Sequence, residues 1–278
     1  MRTITLSLPG VDVTADLDRA FDLAIPLRFD EAQPSAFGAP PATAEPLRAG
    51  AFVGDVARGG SCNCAVHRLV PHCNGTHTEC VGHLVRQPVH VHEVRRGGFE
   101  PALLVSIDTP AAAESGESSD PPPQPGDRLV TAAALDAAWR RCAWPEVAVR
   151  ALAIRTLPNG AAKATRRYVA ESPPPYLTRE AAQWLVAQEI EHVLVDVPSL
   201  DRLDDGGRLT AHRVFWGLPP GSTDVTAAER PQATVTELVF APDAVPDGRY
   251  LLDLQVPAFA ADAAPSRPIL YPVTGFGV

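Results

Sequence analysis

The chain has no apolar run approaching the roughly 18 residues needed to cross a bilayer, which argues against a membrane-spanning helix. Its start, Met1-Arg2-Thr3-Ile4-Thr5, has no extended apolar secretory core. The default expectation is therefore a cytoplasmic protein without a membrane partner. Long basic runs are also missing, and the net charge is −9. Phosphate backbones are bound by clustered Lys and Arg, so nucleic acid is not an expected partner. There is no Gly-rich nucleotide loop and no Gly-x-Ser-x-Gly, which removes the serine mechanism of the α/β-hydrolases. No internal repeat is visible.

Cysteine is sparse and odd in number: Cys62, Cys64, Cys73, Cys80 and Cys142. An odd count in a large chain argues against a disulfide framework. Four of the five crowd into residues 62–80, so a structural zinc on thiolates is one reading. The paired Cys-x-x-Cys knuckles of common zinc modules are missing. Cys80 and Cys142 read more simply as buried apolar residues.

What is present is ordinary globular composition over 278 residues, enough for one large domain with a sizeable core. Thr3-Ile4-Thr5-Leu6-Ser7-Leu8 alternates with period two and predicts a half-buried strand. Residues 32–48 read as loop, 60–70 as a strand, and 81–94 as a short alternating stretch. Ala102–Ile107 predicts a buried strand. Residues 109–126 are rich in Pro, Ser and acid and predict a surface insertion that cannot bury enough to order itself. Thr131 can cap a helix over 132–141. Val147–Arg155 predicts a strand, Arg179–Gln188 an amphipathic helix, and His192–Val197 another strand. Strands separated by helices predict an α/β fold, and Pro-containing turns toward the C-terminus add an antiparallel portion. Trp139, Trp144, Trp184 and Trp216 read as core packing.

The chemistry concentrates in His72-Cys73-Asn74-Gly75-Thr76-His77-Thr78-Glu79-Cys80-Val81-Gly82-His83. Three imidazoles and a carboxylate are the usual ligands of a zinc- or manganese-type hydrolytic site. His77 and Glu79 are two apart, so an extended backbone points both to one side. His83 could be a ligand or a proton carrier, and Gly75 would allow a tight turn before His77. His67, His90, His92 and His192 lack such context and are not expected to be ligands.

This segment resembles the signature of the cyclase-like metal-dependent hydrolases, a family that includes kynurenine formamidase and isatin hydrolase. Their pattern is His-x-Gly-Thr-His-x-Asp-x-Pro-x-His. Gly75, Thr76, His77 and His83 fall in register with it, Glu79 replaces Asp, and Val81 replaces Pro. The first histidine is the departure: Cys73 occupies its place and His72 stands one residue early. Either Cys73 supplies a thiolate, or slippage through Asn74-Gly75 lets His72 take over, or a ligand has been lost; His72 is favoured. The resemblance continues through Asp16-Leu17-Asp18 with Ile25-Pro26-Leu27, the helix start at Pro175–Ala182, and Val195-Asp196-Val197-Pro198-Ser199-Leu200-Asp201. The stretch Tyr250–Pro257 looks like the family's last strand.

The resemblance implies one domain over residues 1–278 with a mixed sheet and helices around a metal cleft, the swivelling β/β/α arrangement. It implies two more ligands, matched by His212 and Glu237. On alternation Val235, Glu237 and Val239 share a face, and an inward face would leave Glu237 a buried carboxylate needing a partner. His83 is then the general acid/base, and Glu237 counts as both ligand and catalytic group. The implied cofactor is a divalent ion, zinc before manganese. It would activate water and polarise the carbonyl of a small amide, formamide, lactam or ester, N-formylkynurenine among them. A homodimer or larger homo-oligomer is also implied. The altered first position suggests an alternative, a vestigial member that binds a small molecule without turnover.

Overall fold

The computed structural model describes residues 2–277; Met1 and Val278, the ends of the expected domain, lie outside the described residues. An eleven-stranded mixed sheet runs through the molecule. Its main strands are β1 (Thr3–Leu8), β2 (Val11–Asp16), β3 (His77–Glu79), β4 (Phe99–Asp108), β5 (Ala151–Leu157), β6 (His192–Val195), β7 (Thr234–Glu237), β8 (Gly248–Gln255), β9 (Ala263–Pro265) and β10 (Arg267–Gly277). Across the sheet they run β1-β2-β10-β8-β4-β5-β6-β7-β3-β9, with the short strand Phe21–Asp22 also on β10. The four central strands, β4 to β7, are parallel, and antiparallel strands flank them on both sides. The expected α/β class with an antiparallel portion is what the chain adopts.

The central strands are apolar on both faces because both are covered, as in other parallel sheets. Leu103, Val105, Leu152, Ile154, Val193, Val195 and Val235 face the helices. Their neighbours Ala102, Leu104, Ala151, Ala153 and Leu194 pack with Tyr250, Leu252 and Leu254 on the other side. Besides the single turn Val91–Val94, the helices are α1 (Pro71–Asn74), α2 (Ala132–Arg141), α3 (Arg179–Ala187) and α4 (Thr210–Trp216). Thr131 and Thr178 cap α2 and α3, their hydroxyls accepting from Ala134 N and Ala181 N. Such caps contribute about 1 kcal/mol each. Leu135, Ala138, Ala181, Ala182, Leu185, Phe215 and Trp216 form the apolar stripes these helices bury. Among the described residues no helix is long and apolar enough to cross a membrane.

Several local expectations change. The strand predicted over 60–70 is only Ala65–Arg68, exposed and paired with Thr43–Pro46 inside the supposed 32–48 loop. Residues 81–94 hold two single helical turns, Val81–His83 and Val91–Val94. The strand expected from Val147 starts at Ala151. Tyr250–Pro257 is not the last strand: β9 and β10 follow it, and β10 inserts between β2 and β8. The 109–126 stretch has little regular structure but is tied down by its polar side chains. Glu117 accepts from Ala132 N, Ala133 N and the Thr178 hydroxyl, and the Ser118 hydroxyl donates to Glu180. Its order comes from capping two helices rather than from apolar burial.

Candidate metal centre

Strand β3 lies between β7 and β9, antiparallel to both. Register places His77 beside Glu237 and Glu79 beside Val235. His77 and Glu79 therefore share one face, as the two-residue spacing requires, and Glu237 joins them from the next strand. The intervening Thr78 points away, its hydroxyl within 2.8 Å of those of Thr236 and Ser266. Thr76 fixes the approach to the strand, accepting from Ile25 N and donating to Leu238 O. Gly75 makes no tight turn: at φ 163° and ψ −172° it is extended. Its role is its carbonyl, which accepts from His77 Nδ1 at 2.9 Å.

His212 arrives on α4, anchored by the buried Phe215 and Trp216 that follow it. The acceptor for the start of this helix is Asp201, which takes hydrogen bonds from Ala211 N at 2.7 Å and His212 N at 3.2 Å. The same carboxylate accepts from His212 Nδ1 at 2.6 Å. Asp201 stood in the matched Val195–Asp201 stretch, yet nothing local marked its role, because its partners are ten and eleven residues on. Glu237, left open by the alternation, is internal. Leu200 N donates to its Oε1 at 3.0 Å. Leu238 then adopts φ 54°, which ends the strand. Val239 consequently packs in the cluster opposite Val235, so the two do not share a face.

The buried donors converge. Glu237 Oε2 is 3.3 Å from His77 Nε2, and Glu237 Oε1 is 3.4 Å from His212 Nε2. Glu79 Oε1 lies 2.8 Å from His212 Nε2 without forming an aligned hydrogen bond. His77 Nε2, Glu79 Oε1 and His212 Nε2 are all buried with no hydrogen-bond partner. Buried polar atoms are nearly always paired, so three orphans on neighbouring side chains call for cationic partners, and Glu79 links the two donor groups they fall in. In both histidines Nδ1 is spent on an oxygen acceptor, so the neutral ring turns Nε2 inward as its lone pair. Two imidazole nitrogens and two carboxylates are a donor set suited to a divalent cation. Burial alone would raise the carboxyl of Glu79, but His83 and His212 hold it well below its usual range. Burial would lower His212, and Glu79, Asp201 and Glu237 raise it well above.

At the open edge of this cluster stand His72, His83 and Asp262. His72 Nδ1 is 2.9 Å from Glu79 Oε2, and its Nε2 is 2.9 Å from Asp262 Oδ2. Burial opposes its charged form, but Asp262 and Glu79 together raise it to about 10. His83 Nδ1 lies 3.4 Å from Asp262 and 4.0 Å from Glu79. His72 and His83 hold the Asp262 carboxyl far below its usual range. Three groups of donors close enough for one ion result: His72, His77, Glu79; Glu79, His212, Glu237; and His72, His83, Asp262. His72, not Cys73, enters these groups. Cys73 is buried, and burial with the nearby charge of Glu237 pushes its thiol up, away from a thiolate. Asp262 was missed, since a lone acid in Ala260-Ala261-Asp262-Ala263 carries no sequence signal.

The remaining candidates lie elsewhere. Cys62 and Cys64 are exposed, Cys80 is buried with its thiol pushed up to about 12, and Cys142 is only half-buried. Among the described residues no cysteine joins a donor group, so the thiolate-zinc reading finds no geometric support. His67 stacks on Phe29, His92 bonds Phe259 O, and His90 stacks on His92. His192 is buried against the Thr234 hydroxyl. Trp144 and Trp216 are buried, while Trp139 and Trp184 meet edge to face.

A family model described as putative cyclase matches residues 15–202. No curated protein matches the chain. Among solved structures, isatin hydrolase A from Labrenzia aggregata bound to benzyl benzoate is 16% identical with a TM-score of 0.58. That match covers 92% of this chain and 94% of the other. An isatin hydrolase bound to the product analogue thioisatinate gives 14% and 0.56, covering 92% and 93%. A predicted metal-dependent hydrolase from Bacillus stearothermophilus gives 15% and 0.55, covering 91% and 98%. At these identities the likeness is one of fold.

Proposed function

We propose that this chain, which belongs to the putative cyclase family, is a metal-dependent hydrolase that opens a small amide, formamide, lactam or ester. The observation that carries the reading is that three buried ligand atoms without hydrogen-bond partners, on His77, Glu79 and His212, fall in two donor groups that share Glu79. His72, His77, Glu79, His212 and Glu237 would hold one or two ions, and the imidazole-rich set favours zinc over manganese. Such a cation lowers the pKa of water and polarises a carbonyl oxygen.

The protein's own residues supply the rest. Gly75 O and Asp201 fix the tautomers of His77 and His212, so that neither ring has to reorganise during turnover. Glu79 and Glu237 would balance the charge of a bound cation within the buried wall. His83 is 30% exposed and borders the cluster, a position from which an imidazole can pass a proton to a leaving nitrogen or oxygen. Cyclic amides and N-formylkynurenine-type formamides are the first substrates to try, given the family and the isatin hydrolases of like fold. Cytoplasmic location, a homodimeric state and independence from nucleic acid and membrane belong to the same proposal.

Elemental analysis of untagged protein tests it. One or two zinc or manganese ions per chain are expected in the wild type, absent from His77→Ala, with zinc- or manganese-restored hydrolysis of a formamide, lactam or lactone. Metal retained by His77→Ala overturns the assignment of the site. Metal bound without turnover of any such compound would favour a binding protein.

A further inference from the structure

The first imidazole of the motif is one residue out of register, yet it reaches the donor cluster. His77 and His212 both use Nδ1 for a hydrogen bond and turn Nε2 inward. His72 does the reverse: Nε2 is held at 2.9 Å by Asp262, and Nδ1 lies 2.9 Å from Glu79. Nδ1 is closer to the backbone than Nε2. A histidine whose Cα has shifted along the chain can therefore reach the same point with the other nitrogen, provided something holds the ring in that orientation. Resting on the metal-centre reading above, we propose that Asp262 is a positioning residue that turns His72 to present Nδ1 to the cation, and so compensates for Cys73 at the usual ligand position.

The placement of Asp262 is built in. Its carbonyl accepts from Cys80 N at 3.0 Å, and the strand that follows it pairs with β3, Ala263 opposite Glu79. Gly82 allows the close approach, because a Cβ there would sit 2.3 Å from Val89 O and 3.1 Å from Asp262 Cβ. The Asp262 side chain is 39% exposed, so it remains solvated as a carboxylate while it accepts from Nε2–H. A carboxylate behind a ligating histidine fixes the ring and makes its other nitrogen a better donor.

The test is zinc affinity, measured with zinc alone against a chromophoric chelator, with the melting temperature of the zinc-free protein as a check on folding. Asp262→Asn is expected to weaken zinc binding by about 10–100-fold with melting unchanged, and Asp262→Glu to recover most of the loss. In a His72→Ala background, Asp262→Asn should add nothing, because the two residues act as one unit. Wild-type affinity in Asp262→Asn, or losses that add in the double variant, would overturn the proposal while leaving the metal centre in place. A wild type that binds no zinc would remove the metal-centre reading and this proposal with it.

Discussion

The two sides of the donor cluster differ in depth. On the inner wall the side chains of His77, Glu79, His212 and Glu237 are each at most 4% exposed. On the outer rim His72, His83 and Asp262 are 23%, 30% and 39% exposed. The wall is built from paired strands and a capped helix, and each of its rings is pinned by an oxygen acceptor. Buried charges of this kind are tolerated only when paired or bound to a cation, so the wall is suited to holding an ion. The rim is open to water and can exchange protons with it.

Glu79 belongs to two of the three donor groups, so its loss should break the wall most completely. Glu79→Ala is expected to lose the ion and to lower kcat/KM by at least on the order of 10³, at or beyond the upper range for removing one electrostatic group; metal analysis beside kinetics reads both effects. The rim should behave differently. His83→Gln is expected to keep its metal and to lose roughly 10²-fold in kcat, the scale of general acid catalysis, and loss of metal in that variant would move His83 into the wall. Asp201→Asn keeps the shape but weakens the acceptor behind His212, and a drop of about 10-fold or more in zinc affinity is expected by chelator competition.

His192 supplies the smallest and sharpest contrast. It is buried like His212 but forms no ion pair with a carboxylate among the described residues; burial, with Arg95 and Arg150, lowers it to about 3. Folded protein thus leaves His192 neutral while the unfolded chain, near 6.5, takes a proton. Between those values the unfolded state binds more protons, so this residue's contribution is full above about 6.5 and is lost as pH falls toward about 3, by up to ~1.4 kcal/mol per unit. Denaturant melts from pH 7 to 4 should therefore be less pH-dependent in His192→Gln than in the wild type.

Much of this molecule was legible before folding. The cap Thr131, the helix start within Pro175–Ala182, the apolar core strands, and the local spacing of His77, Glu79 and His83 are short-range features, fixed by backbone period and by hydrogen bonds within a turn. The choice of His72 over Cys73 was weighed from sequence, but only the burial of the thiol and the reach of the imidazole distinguish them. The roles of Asp201 and Asp262 were not legible, because their partners stand ten or more residues away in one case and 190 in the other.

The sequence by itself determined which residue types could bind a cation and that two of them would share a strand face. The tertiary structure decided which carboxylates meet them, since that depends on β7 and β9 pairing on either side of β3. It also decided which nitrogen each ring presents, because a ring turns toward whatever acceptor the fold places behind it. Hydrogen-bond partners brought together by sheet register leave no trace in local spacing.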